Sequence, residues 1–475
     1  MSHAAEDEAC GEGAGAAIAS RRRSCLPGAW SRVMALALFL VGCGSVPAAA
    51  QEGFRYVIAG DLLGPWRSRD DSADQELERV ARIFQNADAG FANLEGNLFD
   101  LDGFRGYPAA ENGGFEQGGV GGGPRFDAGQ AAAIKRFGIN TLSVANNHSM
   151  DWGIEGLVAT MSNLDKAGIV HAGGGMSLAQ ARAPVFLETP HGRLALVSAA
   201  STFLPMAPAG PGDEKTERPP RPGISALRNS AYTLVSAEEF QVLRGITERQ
   251  GQRVANDASD LTIIPNDATF TGQNFRKSDR TGVVYEPNGQ DRKEILEAVR
   301  AGKREAALAV FSIHAHESNT GAGDHLVPGN TLAPPEFLQA LMHDAVDAGA
   351  DIGIVHGPHS LRGIEIYQGK PIFYGMGSLF FEVPDIYPWP KDWFDSFIAE
   401  TRFGTRGVKE IRLYPLRIRR TDDSAPGVRI GAPKLADAVD AARILAALQA
   451  ASQPFGTRIE ISHGVGIIRI GAQSN

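Results

Sequence analysis

From Phe54 onward the chain repeats one pattern: a short apolar, β-rich run, a polar residue where the run stops, then a loop and an amphipathic helix. The first run, Arg55 to Ala59, stops at Gly60-Asp61; Leu77, Val80, Ala81 and Phe84 follow at the i, i+3, i+4, i+7 spacing of one helical face. Gly90-Phe91-Ala92-Asn93-Leu94 stops at Glu95. A helix over about 127–137 ends at Gly138, a residue suited to the left-handed position after a helix. A strand over 139–145 then leads into Asn146-Asn147-His148. The second half repeats the scheme. A helix near 292–300 precedes an apolar run over 306–313 that delivers His314 and His316, and a helix over about 335–348 precedes a run over 351–355 that delivers His356 and, three residues on, His359.

Strands that alternate with helices predict an α/β fold. In open α/β sheets ligands sit just beyond the carboxyl ends of the strands, so ends that carry Asp, Glu, Asn, His and His are expected to converge on one site. Two stretches interrupt the pattern. Residues 102–124 are glycine-rich and predict a long loop beside that site, and residues from about 205 to 290, Pro-rich at first and then helix-like from Ala237 to Arg249, read as an insertion or cap. The tail from about Lys409 alternates around a helix from Leu435 to Ala451 and is expected to close the fold, without an internal repeat of fixed period.

Composition narrows the class. The 475 residues are 43% hydrophobic and 21% charged, the mix of a globular protein. Lys+Arg 46 against Asp+Glu 55 gives a net charge of −9, which provides no overall pull toward nucleic acid or anionic lipid. All three cysteines, Cys10, Cys25 and Cys43, precede the patterned region. A chain trimmed after them has no thiol for a disulfide, a zinc–thiolate centre or a nucleophile.

That trimming is itself expected. Arg21, Arg22, Arg23 and Arg32 precede an apolar run from Val33 to Val41, and small residues then end in Ala48-Ala49-Ala50 before Gln51. Residues 1–50 therefore read as a signal segment, too short in its apolar run to span a bilayer, and predict export to the periplasm or cell envelope. Two exits compete: cleavage after Ala50, toward which the small residues lean, or lipidation at Cys43 of the lipobox-like Leu40-Val41-Gly42-Cys43. The second would be the chain's one tie to a membrane.

The residues at the strand ends define candidate chemistry. Asp61, Glu95, Asn147, His314, His356 and His359 supply oxygen and imidazole donors with no sulfur, a set that suits one or two divalent ions of the Mn²⁺, Zn²⁺ or Fe type. Two such ions sharing a carboxylate support metal-assisted hydrolysis. His148 follows Asn147 and is placed to hand a proton to a leaving group, with Asp151 three residues on to orient it. Taken singly, Asp61 or Asn147 is more often a cap or turn former and His314 a packed imidazole; the coincidence of ligand-type residues at five strand ends favours the site. His316 shares a strand end but falls outside this ligand set, and Glu317 and Glu382 are expected to support it or face solvent.

These motifs resemble a known family. Gly60-Asp61-Leu62-Leu63-Gly64, Ala92-Asn93-Leu94-Glu95-Gly96, Ala145-Asn146-Asn147-His148-Ser149-Met150-Asp151-Trp152-Gly153, His314-Ala315-His316-Glu317, His356-Gly357-Pro358-His359 and the stretch from Gly369 to Phe381 resemble, in this order, the CapA family of poly-γ-glutamate capsule biosynthesis proteins. The resemblance covers most of residues 54–470. It implies a calcineurin-like metallophosphatase fold, a sandwich of two mixed β-sheets flanked by α-helices, with the six residues above as metal ligands and His148 as proton donor. Two departures stand out: standard metallophosphatases open with Asp-x-His, where this chain has Leu63, and many CapA-like sequences carry Trp where this chain has Ala315. The resemblance implies two readings of function. One is an exported metal-dependent hydrolase of capsule biosynthesis that cleaves a phosphoester or a peptide-like bond; the other is a non-catalytic assembly factor that binds the polyglutamate polymer or membrane proteins of the capsule synthase.

Overall fold

The computed structural model describes residues 52–64, 74–108, 123–251, 253–256, 259–264, 272–319, 333–382, 389–405, 407–421 and 429–471. Residues 1–50, read above as a signal segment with Cys43, and most of the glycine-rich stretch at 102–124 lie outside the described residues.

Two sheets form the body. In the first, the order is Glu460–Ser462, Val465–Arg469, Gly407–Ile418, Asp395–Gly404, Arg55–Leu63, Ala89–Glu95, Thr141–Ser143, Val170–Ala172, with Ser378–Phe381 alongside the end of Arg55–Leu63. Its Arg55–Leu63 strand runs parallel to Ala89–Glu95 and antiparallel to Asp395–Gly404, so the sheet is mixed. In the second, the order is Ile364–Tyr367, Lys370–Phe373, Ile352–His356, Leu308–His314, Gly192–Ala200, Val185–Thr189, parallel at its centre and antiparallel at both edges.

Strand alternation explains why the sheets face each other. Tyr56 and Ile58 of the first sheet pack with Leu194, Leu196, Leu308, Val310, Ile352 and Ile354 of the second in one buried cluster. The alternate residues Val57 and Ala59 turn outward, onto Leu77, Val80 and Phe84 of the helix Gln75–Gln85 and Ile134 and Phe137 of the helix Gln130–Phe137. On the other side Phe311, Ile313 and Val355 meet Ile295 and Val299 of the helix Gly289–Glu305 and Leu338, Leu341 and Met342 of the helix Glu336–Asp347. The result is the helix-flanked sandwich of two mixed sheets that the resemblance implied. Ile444, Leu445 and Leu448 of the C-terminal helix Ala438–Ser452 enter the cluster between the sheets, closing the fold as the tail's pattern predicted.

The interrupting stretch after residue 205 contains its own five-stranded sheet, ordered Arg253–Asn256, Asp260–Ile264, Gln273–Lys277, Asn229–Val235, Gly282–Pro287, beside the helix Ala237–Arg249. Ser236 and Glu239 form a capping box at that helix's start. Among the described residues no helix is long and apolar enough to cross a membrane.

Candidate metal centre

Register brings the ligand-type residues together. His314 and His356 end adjacent parallel strands and pair directly, His314↔His356. Glu95 ends the strand next to Arg55–Leu63, in which Asp61 pairs with Asn93 and Leu63 with Glu95. Asp61 is not the last residue of its strand, as the sequence pattern suggested; a register shift between Ile58 and Asp61 lets the strand continue to Leu63. Gly60 makes that path possible, since a Cβ there would lie 1.7 Å from the carbonyl oxygen of Gly377.

Six buried side chains form overlapping groups in which one ligand atom from each lies within 4.8 Å of the others: Asp61 with His314 and His356, Glu95 with His314 and His316, and Asp61 with Glu95 and His359. Five of these residues were expected from sequence. Asn147, the sixth expected ligand, is half-buried in the turn after Thr141–Ser143. The sequence reading left out His316, although the His314-Ala315-His316 alternation was a usable signal, because residues two apart on extended chain share a face. Asn93 and Asn146 were also missed.

Those asparagines organise the cluster. Asn93 Nδ2 donates to Asp61 Oδ1 at 2.9 Å, and Asn146 Nδ2 donates to Asn93 Oδ1 at 3.1 Å and to the Leu94 carbonyl at 2.7 Å. Asn146 Oδ1 in turn accepts from the backbone N–H of His148 at 3.1 Å. The backbone N–H of Gly357 donates to Asp61 Oδ2 at 3.1 Å, and Ser378 Oγ lies 3.3 Å from His359 Nδ1. His148 Nδ1 is 2.6 Å from Asp151 Oδ2, and both residues are buried. Gly123, at the end of the glycine-rich stretch, covers this pair: a Cβ on it would sit 1.4 Å from Asp151 Oδ2, and its carbonyl accepts from Trp152 Nε1 at 3.2 Å.

The electrostatics of the cluster favour a cation. Burial, and then the charge of Glu95, push the Asp61 carboxyl well above its ordinary range. Burial, with the neighbouring imidazoles of His316, His356, His148 and His359, pulls His314 well below 6.5, and burial with His316 takes His356 to about 3. These imidazoles therefore stay neutral, the form that ligates metal. Both carboxylate oxygens of Glu95, and Nε2 of His314 and of His356, are buried without a hydrogen-bond partner among the described residues. Nitrogen and oxygen donors left this way, with two carboxylates for charge, fit a divalent transition ion.

The chain matches the family described as bacterial capsule synthesis protein PGA_cap over residues 55–383. An uncharacterised protein of Sinorhizobium fredii (strain NBRC 101917 / NGR234) is 34% identical over 470 residues, which cover 90% of this chain and 95% of that one. The probable polyglutamine synthesis accessory protein of Mycobacterium tuberculosis is 25% identical over 286 residues, 58% of this chain and 55% of its own. The PGA biosynthesis protein CapA of Bacillus subtilis is 21% identical over 249 residues, 52% of this chain and 44% of its own.

Proposed function

The chain belongs to the PGA_cap family of bacterial capsule synthesis proteins, and from that premise we propose that it is an exported, metal-dependent hydrolase of capsule biosynthesis, acting on a phosphoester or a peptide-like bond such as that of poly-γ-glutamate. The observation that carries this reading is the buried Asp61, Glu95, His314, His356 and His359 cluster with the His148–Asp151 pair at its flank.

A divalent ion held there would activate water and stabilise the negative charge that develops on a phosphoryl or acyl oxygen. The chain's own residues do the rest. Asp151 accepts from His148 Nδ1, which fixes the ring and leaves Nε2 as the atom that holds and releases a proton toward a leaving group. Asn93 and the Gly357 N–H hold both oxygens of Asp61 in place before anything binds. Asn147, His148's neighbour in the turn, is proposed as a further oxygen donor.

The test is a panel of aryl phosphoesters and γ-glutamyl peptides, with and without Mn²⁺, run on the wild type and on His148→Ala and Asn147→Ala. Turnover is expected only with metal, and His148→Ala is expected to lower it by roughly 10² or more at unchanged melting temperature and metal content. Full turnover in His148→Ala would remove it from the chemistry. A metal-loaded protein inert toward the whole panel would point to an assembly factor that binds polymer or synthase.

A further inference from the structure

We propose that His316 is itself a metal ligand, forming with Glu95 and His314 a second cation position beside the one at Asp61, Glu95 and His359; the inference rests on the metal-site reading above. Glu95 carries the argument. Its carboxylate is fully buried, neither oxygen has a hydrogen-bond partner among the described residues, and its Oε1 lies 3.7 Å from His314 Nε2 and 3.8 Å from His316 Nε2. A buried carboxylate is costly unless it is paired. A cation lying among the three groups pairs it.

The loop that carries His316 is fixed by hydrogen bonds to the His316 backbone and to Glu317. The His316 N–H donates to Thr202 Oγ1 at 2.9 Å, and the hydroxyls of Thr202 and Ser201 donate to Glu317 Oε2 at 3.0 and 2.9 Å. Asn229 Nδ2 donates to Glu317 Oε1 at 2.9 Å, and the buried Arg362 donates to the Glu317 carbonyl at 3.1 Å. The ring then stands 4.8 Å from that of His314 and 5.6 Å from that of His359, centroid to centroid. A backbone held in this way limits where the ring can go.

The other strand end explains why a fourth histidine is needed. Two residues beyond Asp61 stands Leu63, buried in an apolar cluster with Phe381, Trp393, Phe394 and Ile418, so that strand offers a single donor. His316 supplies from the second sheet's side what the first sheet lacks.

Metal uptake reads this directly. Wild type, His316→Ala and His316→Gln are stripped with chelator, loaded with Mn²⁺ or Co²⁺, desalted and analysed for metal per chain, with isothermal titration for affinity and the visible absorption of Co²⁺ for ligand number. Wild type is expected to take up about two equivalents, and both variants to lose about one, or to bind it about 100-fold more weakly, while melting like the wild type in chelator. His316→Gln keeps a polar side chain there should the alanine variant fail to fold. Equal uptake and equal affinity in wild type and variants would overturn the assignment and leave the metal reading standing, with a rise in KM alone marking His316 as a substrate contact. A wild type that binds no metal would overturn both.

Discussion

His356 is a histidine that burial keeps from acting as a base, and its titration gives the site a signature in solution. In the folded chain its pKa falls from 6.5 to about 3. Between those values the unfolded chain holds a proton that the folded chain refuses, so its contribution makes metal-free protein less stable as pH falls through that window, by about 1.4 kcal/mol per pH unit. His314, also lowered, acts in the same sense. Asp61 acts in the opposite one, since its raised carboxyl binds a proton more tightly in the folded state and its contribution is lost as pH rises. Denaturant unfolding in chelator at several pH values between 5 and 7.5 is expected to show a flatter pH dependence for His356→Gln than for wild type; identical slopes would mean that His356 titrates normally. At this scale the acids and histidines were legible because each follows an apolar run. Asn93 and Asn146 were not, because an asparagine inside or just after a strand reads the same whether it orders a carboxylate or closes a turn.

The strands show why bounds are harder to read than identity. Gly60-Asp61 looked like a stop because glycine and aspartate usually end strands, yet the chain runs on to Leu63 because Gly60 passes close against Gly377. Substituting Gly60 by alanine sets a Cβ 1.7 Å from a backbone oxygen and must displace the segment that leads to Ser378, the residue against His359 Nδ1. Gly60→Ala is expected to cost about 1–3 kcal/mol and to weaken metal binding as well. Gly289→Ala, at a helix start with nothing within 4 Å of the added Cβ, is the control and is expected to change stability by about 0.5 kcal/mol or less. Comparing both by denaturant melts tests the claim; equal behaviour would show that the close approach at Gly60 relaxes freely. The five-stranded sheet after residue 205 was not legible as a sheet, since in Asn229–Val235 only Leu234 and Val235 are buried, which leaves little apolar alternation to read.

Across the whole molecule, the α/β class followed from the order of apolar runs, whereas strand neighbours did not, because pairing joins segments far apart. The Thr401 hydroxyl donates to the Tyr56 carbonyl, 345 residues away, and the tail strands extend the sheet that begins at Arg55. No local pattern encodes such a partner. The same long-range closure sets the site between the two sheets, where Asp61 and Glu95 come from one and His314 and His356 from the other. Export is proposed for the intact chain, and mass spectrometry of the exported form is expected to find an N-terminus at Gln51; a diacylglyceryl group on Cys43 would instead anchor the protein at the envelope surface. The central claim is that the buried acids and histidines hold metal. An anomalous-scattering map from crystals loaded with Mn²⁺ or Zn²⁺ addresses it most directly: the account predicts density among Asp61, Glu95, His314, His316, His356 and His359, and a map with no peak there after loading would contradict it.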